Sequence, residues 1–235
     1  LNISDQGINS ILNYSKGIDI VIDCSSSSAH EIHAPLLEKE KIPVIDMTPS
    51  GIGRTIIPTV NLDECKRIQN INLVSCGGQS SIPILYKWKN ALQRYSVNLD
   101  YVEVVTTIST ESAGMATRRN LDNYLRNTER AITKFCGCHS KVILNINPAN
   151  PPVTMRTSFS ALLDNVQSFD IDWTDETYQI ESSLKKYIPG YQITVPPQII
   201  DNKRLFSSAL IKGRGDYLPA YAGNLDIITS AAIAV

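Results

Sequence analysis

A chain of 235 residues with 43% hydrophobic and only 19% charged side chains holds enough apolar material for one large or two medium cores, which excludes a disordered chain. Its net charge of −1, with both signs mixed along the chain, gives no basic cluster for nucleic acid or anionic lipid, and no apolar run approaches a membrane span, so neither partner is expected. Five cysteines without a regular framework fit a reducing compartment, and Leu1 to Asp5 lack a basic stretch followed by an apolar one; the reading is cytoplasmic.

The chain opens on leucine and its first strong strand starts only at Ile18, so a truncated or processed start is expected. Gly17 to Cys24 is a β-branched run suited to a parallel strand covered on both faces. Ser25 to Ser28 can cap a helix beginning near Ala29 and carrying Ile32, Leu36 and Leu37, and Ile42 to Asp46 is the next strand. This is a βαβ unit, whose ligands bind at the carboxyl ends of the strands, here Asp23 to Ser28 and Asp46 to Ser50. His30 and His33 stand three apart on the helix, but no carboxylate or cysteine completes a metal set, so they are expected on the surface.

After the Gly51-Ile52-Gly53-Arg54 loop, Ile71 to Val74 reads as the end of a buried strand and Ser75-Cys76-Gly77-Gly78-Gln79 as the junction to a helix, with Pro83 suited to its first turn. Ile82, Leu85, Trp88 and Leu92 recur at helical spacing. The amides of the opening turn then point toward Cys76, which makes it a candidate thiolate of lowered pKa; a small buried apolar cysteine is the alternative. Tyr101 to Ile108 alternates like a strand and leads into Ser112 to Asn120, a small, hydroxyl-rich loop able to hold an anionic or amide-bearing ligand or to serve as a plain surface connection. Asn120 can cap the helix of Tyr124, Leu125, Ile132 and Phe135.

Cys136-Gly137-Cys138-His139 has no second distant pair and makes only a partial metal site. Lys141 to Ile146 is another strand, Val153 to Phe159 an edge or antiparallel one, and Asp170 to Tyr187 a helix capped at Thr174. Tyr191 to Val195 and Leu205 to Lys212 read as strands. The chain closes in an apolar helix capped at Asn224, which must bury its Ile and Ala face against the first part of the chain.

Several of these stretches together carry a resemblance. Asp23 to Ser28, Asp46-Met47-Thr48-Pro49, Ser75 to Gln79, Ser112-Ala113-Gly114 with Thr117-Arg118, Asn147-Pro148-Ala149, Pro189-Gly190-Tyr191 and Tyr217 to Asp226 resemble the acylating acetaldehyde dehydrogenases, the NAD-dependent partners of 4-hydroxy-2-oxovalerate aldolase in aromatic catabolism. The likeness runs from about Gly17 onward. It implies an α/β fold: a truncated Rossmann-type NAD-binding domain, residues 1–75 completed by the C-terminal helix at 215–235, and a catalytic and dimerisation domain of the semialdehyde dehydrogenase kind at 76–214. It implies Cys76 as nucleophile, adding to an aldehyde to give a thiohemiacetal that passes hydride to NAD and leaves a thioester for coenzyme A, the co-substrate. The amides of Cys76 to Gln79 are expected to hold the oxyanion. Ser112, Ala113, Gly114, Met115, Ala116, Thr117, Arg118, Arg119 and Asn120 look like the cofactor loop, and Asn224 like the asparagine at the nicotinamide amide. A homodimer and an aldolase partner are further implications.

Two positions depart from the family. Its glycine-rich phosphate loop has no counterpart before Gly17, and where it has Met-Arg-Asp-Thr, its aspartate assisting the cysteine, this chain reads Met155-Arg156-Thr157-Ser158. A threonine hydroxyl is no general base near neutral pH. A paralogue without turnover acting as a scaffold, and a reductase acting on another acyl thioester, are the alternatives to the acetaldehyde reaction.

Overall fold

The structure, a computed structural model, describes residues 7–13, 15–165, 171–201 and 203–235. The expected strand–helix–strand unit is present as β1 (Val21–Asp23), α2 (Ser27–Lys39) and β2 (Val44–Asp46), behind a short first helix α1 (Ile8–Asn13) whose Ile8 and Ile11 pack on Leu37, Ile42 and Val44. Ser26 caps α2, its Oγ accepting from the Ala29 amide at 3.2 Å, so the serine run does start the helix. With β3 (Arg54–Thr55) and β4 (Asn70–Asn72), separated by the single helical turn α3 (Pro58–Asn61), these strands form an all-parallel sheet of order β1-β2-β4-β3.

Three expectations for this half are corrected. The strand at Gly17 to Cys24 is paired only over Val21–Asp23, and it is not covered on both faces: β1 is a sheet edge, and Ile20 and Ile22 are 48% and 50% exposed. The buried side of α2 is Ser27, His30, Ala34 and Leu37, while Ile32 points outward, so His30 is a fully buried histidine and not a surface one. Pro83 sits in the interior of the next helix instead of its first turn, because the Ser75 cap starts that helix earlier.

That helix, α4 (Cys76–Gln93), is the centre of the molecule. Its residues Ile82, Ile84, Leu85, Trp88 and Leu92 are buried against a second sheet built from β5 (Leu99–Ser109), β6 (His139–Asn147), β7 (Met155–Leu163), β8 (Tyr191–Ile200) and β9 (Arg204–Ile211). The strand order is β6-β5-β7-β9-β8; β5 and β6 are parallel and the remaining pairs antiparallel. Trp88 meets Phe159 of β7 edge to face at 6.3 Å. β7 is antiparallel as expected, but it lies between β5 and β9 and not at an edge.

Helix α6 (Leu121–Cys136) crosses from β5 to β6 and packs beside α4, preceded by the short α5 (Met115–Arg119) inside the stretch read as a loop. The expected helix before β8 is α7 (Trp173–Lys185), capped by Asp172, whose Oδ1 takes the Thr174 and Asp175 amides; Asp170 lies outside the described residues. The last helix, α8 (Gly223–Ala234), places Ile228, Ala231 and Ala232 in one cluster with Ile45, Ile56, Ile71 and Leu73 of the parallel sheet. Its Gly223 passes so close to β9 that a Cβ would lie 1.9 Å from the Ile211 carbonyl oxygen, which leaves glycine alone at this crossing. Among the described residues no helix is long and apolar enough to cross a membrane.

Candidate active site

The site begins where β4 stops. Val74, fully buried, has φ = 67°, a conformation that costs a β-branched residue about 1–3 kcal/mol and persists only when its surroundings dictate it. Those surroundings are the Asn72 side chain, whose Oδ1 accepts from the Val74 amide at 3.0 Å, and the Asn127 side chain, which donates to the Val74 carbonyl at 3.2 Å. The turn hands the chain to Ser75, whose Oγ caps α4 by accepting from the Gly78 amide at 3.0 Å and lies 2.6 Å from the Thr128 hydroxyl. Gln79 anchors the same turn from below, donating to the carbonyls of Leu73 and Ile56.

Cys76 is thereby the first residue of α4, half-buried in the wall of a cleft of about 220 Å³. The expectation of a thiol lowered by the helix terminus is corrected. Burial outweighs the hydrogen bonds from Tyr124 and the Gly77 amide, and the thiol is pushed up to about 11. The amides of the turn are also unequally free. Gly78 N–H is spent on Ser75 Oγ and Gln79 N–H on the Ser75 carbonyl, so those of Cys76 and Gly77 are left to face the sulfur.

The remaining walls come from distant parts of the chain. Cys24, Ser25, Ser26, Met47, Thr48 and Pro49 follow the carboxyl ends of β1 and β2; Ile108 ends β5; Thr117, Asn120 and Tyr124 come from α5 and α6; Asn224, Leu225 and Ile228 come from α8. Asn224 is buried and donates Nδ2 to the Ser112 carbonyl at 3.0 Å, which leaves its Oδ1 buried without a partner. An orphaned acceptor in a cleft wall costs about 1–3 kcal/mol unless something donates to it, and a carboxamide N–H of a nicotinamide fits that need.

Of the loop residues singled out in the sequence, Thr117 and Asn120 are brought to the cleft together with Cys76 and Asn224. Ser112 and Ala113 are buried, the former as the support of Asn224; Gly114, Met115 and Arg119 are exposed; Arg118 folds back to donate to the Ala113 carbonyl at 3.1 Å. Asn120 holds the cap position of α6 without a side-chain cap bond, and of Ala116 the structure describes the backbone in α5. Thr157 is buried, 2.9 Å from Ser80 Oγ and 3.3 Å from Thr106 Oγ1, in a neutral hydroxyl cluster. Cys136 and Cys138 are buried at the junction of α6 and β6, where burial pushes the Cys136 thiol up to about 12.

Directly behind the strand ends lies a buried charged cluster. Asp23 Oδ2 accepts from Nδ1 of His30 at 2.9 Å and of His33 at 2.8 Å, and His30 Nε2 stands 3.7 Å from Asp46 Oδ2 and 3.2 Å from the Asn70 amide. Burial penalises all three charges, but the hydrogen bonds from His30, Ser25 and His33 still hold Asp23 well below the usual carboxylate range. In His30 the bond to Asp23 and the field of Asp46 overcome burial and raise its pKa, whereas in Asp46 burial wins and its pKa rises. The cluster fixes the two strand ends that carry Cys24 to Ser26 and Met47 to Pro49. The sequence reading names Asp23, His30, His33 and Asp46 without bringing them together and places Tyr124 only as a helix residue, because spacing alone does not signal contacts between different elements.

Known proteins resemble this chain in sequence and in fold. A protein from Pectobacterium atrosepticum named acetaldehyde dehydrogenase is 44% identical over the whole of this chain and 78% of its own length, and one of the same name from Burkholderia pseudomallei is 41% identical over 99% of this chain and 76% of its own. Among solved structures, aspartate semialdehyde dehydrogenase II from Vibrio cholerae superposes with a TM-score of 0.59 at 12% identity, over 92% of this chain and 76% of that one, a likeness of fold. The family model described as prokaryotic acetaldehyde dehydrogenase, dimerisation, matches residues 76–219, from the cysteine at the head of α4 through the second sheet. The chain belongs to the prokaryotic acetaldehyde dehydrogenase family.

Proposed function

We propose that the protein is a coenzyme A-acylating aldehyde dehydrogenase that turns acetaldehyde, NAD and coenzyme A into acetyl-CoA and NADH through a thioester on Cys76. The observation that carries this reading is one cleft in which a cysteine at a helix N-terminus shares the wall with an asparagine whose buried Oδ1 has no partner. The family membership supports the same chemistry.

The residues divide the work as follows. Cys76 Sγ adds to the aldehyde carbon, and the amides of Cys76 and Gly77, free of intrahelical partners, polarise the carbonyl oxygen as its π bond opens. Asn224, held by the Ser112 carbonyl, orients the carboxamide of the dinucleotide; Thr117, Asn120 and the serines after β1 line its approach. The bound nicotinamide supplies the hydride acceptor. Coenzyme A enters as a thiol substrate and takes the acyl group from the Cys76 sulfur, which leaves as the group it was before addition.

We assign residues 1–75 together with the helix at 215–235 to dinucleotide binding and residues 76–214 to catalysis and pairing. The packing of Ile228, Ala231 and Ala232 on the parallel sheet supports the first assignment. The dimerisation family over 76–219, which contains the second sheet, supports a homodimer paired through that part. The test is NADH formation from acetaldehyde and coenzyme A: Cys76→Ala should lower it by about 10³-fold or more, and undiminished activity would remove the cysteine from the mechanism.

A further inference from the structure

Among the described residues no side-chain base is hydrogen-bonded to the sulfur of Cys76. Among the described residues its side-chain hydrogen-bond partner is the Tyr124 hydroxyl at 3.8 Å, and no imidazole or carboxylate bonds to it. Tyr124 is 5% exposed, yet it belongs to the wall of the same cleft as Cys76. Its hydroxyl reaches the sulfur only because residue 77 is glycine, where a Cβ would lie 2.2 Å from Tyr124 Oη and 3.2 Å from Thr106 Oγ1. On its far side the phenol bonds Thr106, which meets Thr157, which meets Ser80, whose Oγ donates to the Gly77 carbonyl. The hydroxyl is therefore held in place and carries one proton that can turn toward the sulfur or toward the cleft.

Resting on the reading of Cys76 as nucleophile, we propose that Tyr124 is a catalytic residue that moves a proton between the Cys76 sulfur and the carbonyl oxygen of the substrate. As the S–C bond forms and the C=O π bond opens, the phenol gives its proton to the carbonyl oxygen and takes the proton of the thiol, so the adduct forms neutral and the phenol is restored. Nothing is oxidised or reduced in this step. The reverse motion returns a proton to the sulfur when an adduct breaks down. A thiol that burial raises needs such a path, since its thiolate is scarce near neutral pH. The alternative for Tyr124 is a packing role in the interface between α4 and α6.

The experiment is cofactor-free acetylation of Cys76 by p-nitrophenyl acetate, followed by nitrophenolate release and by peptide mass. In the wild-type protein the rate should be nearly flat between pH 7 and 9. In Tyr124→Phe it should fall about 10²-fold at neutral pH and climb about tenfold per pH unit, as reaction through the thiolate alone requires. Gly77→Ala, which pushes the hydroxyl aside, should lose a similar factor, and the double variant should be no slower than Tyr124→Phe, since both changes remove one device. A folded Tyr124→Phe with the wild-type rate and pH profile, or fully additive losses in the double variant, would overturn the proposal and leave Cys76 as nucleophile untouched. Equal acetylation of Cys76→Ala would instead remove the reading on which the proposal rests.

Discussion

At the scale of single residues, Cys76 separates position from reactivity. Its place at a strand-to-helix junction was legible in the sequence, because a β-branched run, two glycines and an apolar periodicity mark it, whereas the Ser75 cap that starts the helix at Cys76 was not read there. Its acidity was not, because burial outweighs the hydrogen bonds of Tyr124 and of the Gly77 and Cys76 amides, a balance that only the folded chain assembles. Iodoacetamide, which has no carbonyl oxygen to receive a proton, should therefore alkylate Cys76 at a rate that keeps rising with pH toward about 11; a plateau below pH 8 would show that the amides win. Asn224→Ala removes the orphaned acceptor and should raise the KM for the dinucleotide about tenfold with a smaller effect on kcat, checked by initial rates at saturating aldehyde.

At the scale of elements, the turn between β4 and α4 is where local preference yields to the fold. Valine at φ = 67° is disfavoured by its own geometry, and two asparagines from β4 and α6 hold it there. Asn127→Ala removes donors to both the Asn72 side chain and the Val74 carbonyl at a site 6% exposed, so it should cost about 1–3 kcal/mol in urea unfolding and slow acetylation of Cys76. Unchanged stability and acetylation would mean that the turn holds itself. Helix α2 teaches the opposite lesson. Its existence and its cap followed from the serines, but its buried side did not follow from Ile32, because the aspartates at the strand ends recruit His30 inward and leave the isoleucine outside.

At the scale of the whole molecule, the parallel unit, the apolar closing helix and the α/β class could be read from periodicity, whereas the cleft could not, since its walls come from both sheets and from α6 and α8. The cluster behind it ties stability to pH. His30 has a folded pKa above its ordinary value, so its contribution is complete below about pH 6.5 and is lost as pH rises through the folded value. Asp23 is depressed, so its contribution is present above about pH 4 and is lost as pH falls toward its folded value. Thermal unfolding should accordingly give a Tm that declines as pH is raised above about 6.5, and His30→Gln should flatten that decline; equal slopes in both proteins would place the pH dependence elsewhere.

The central claim is that Cys76 carries the acyl group. Incubation of the protein with acetaldehyde and NAD without coenzyme A, quenched in acid and mapped by peptide mass, tests it most directly. The account predicts one acetyl group on the peptide that contains Cys76, removed when coenzyme A is added before the quench. NADH formation with no acetyl on that peptide, or with acetyl on Cys24 instead, would contradict it.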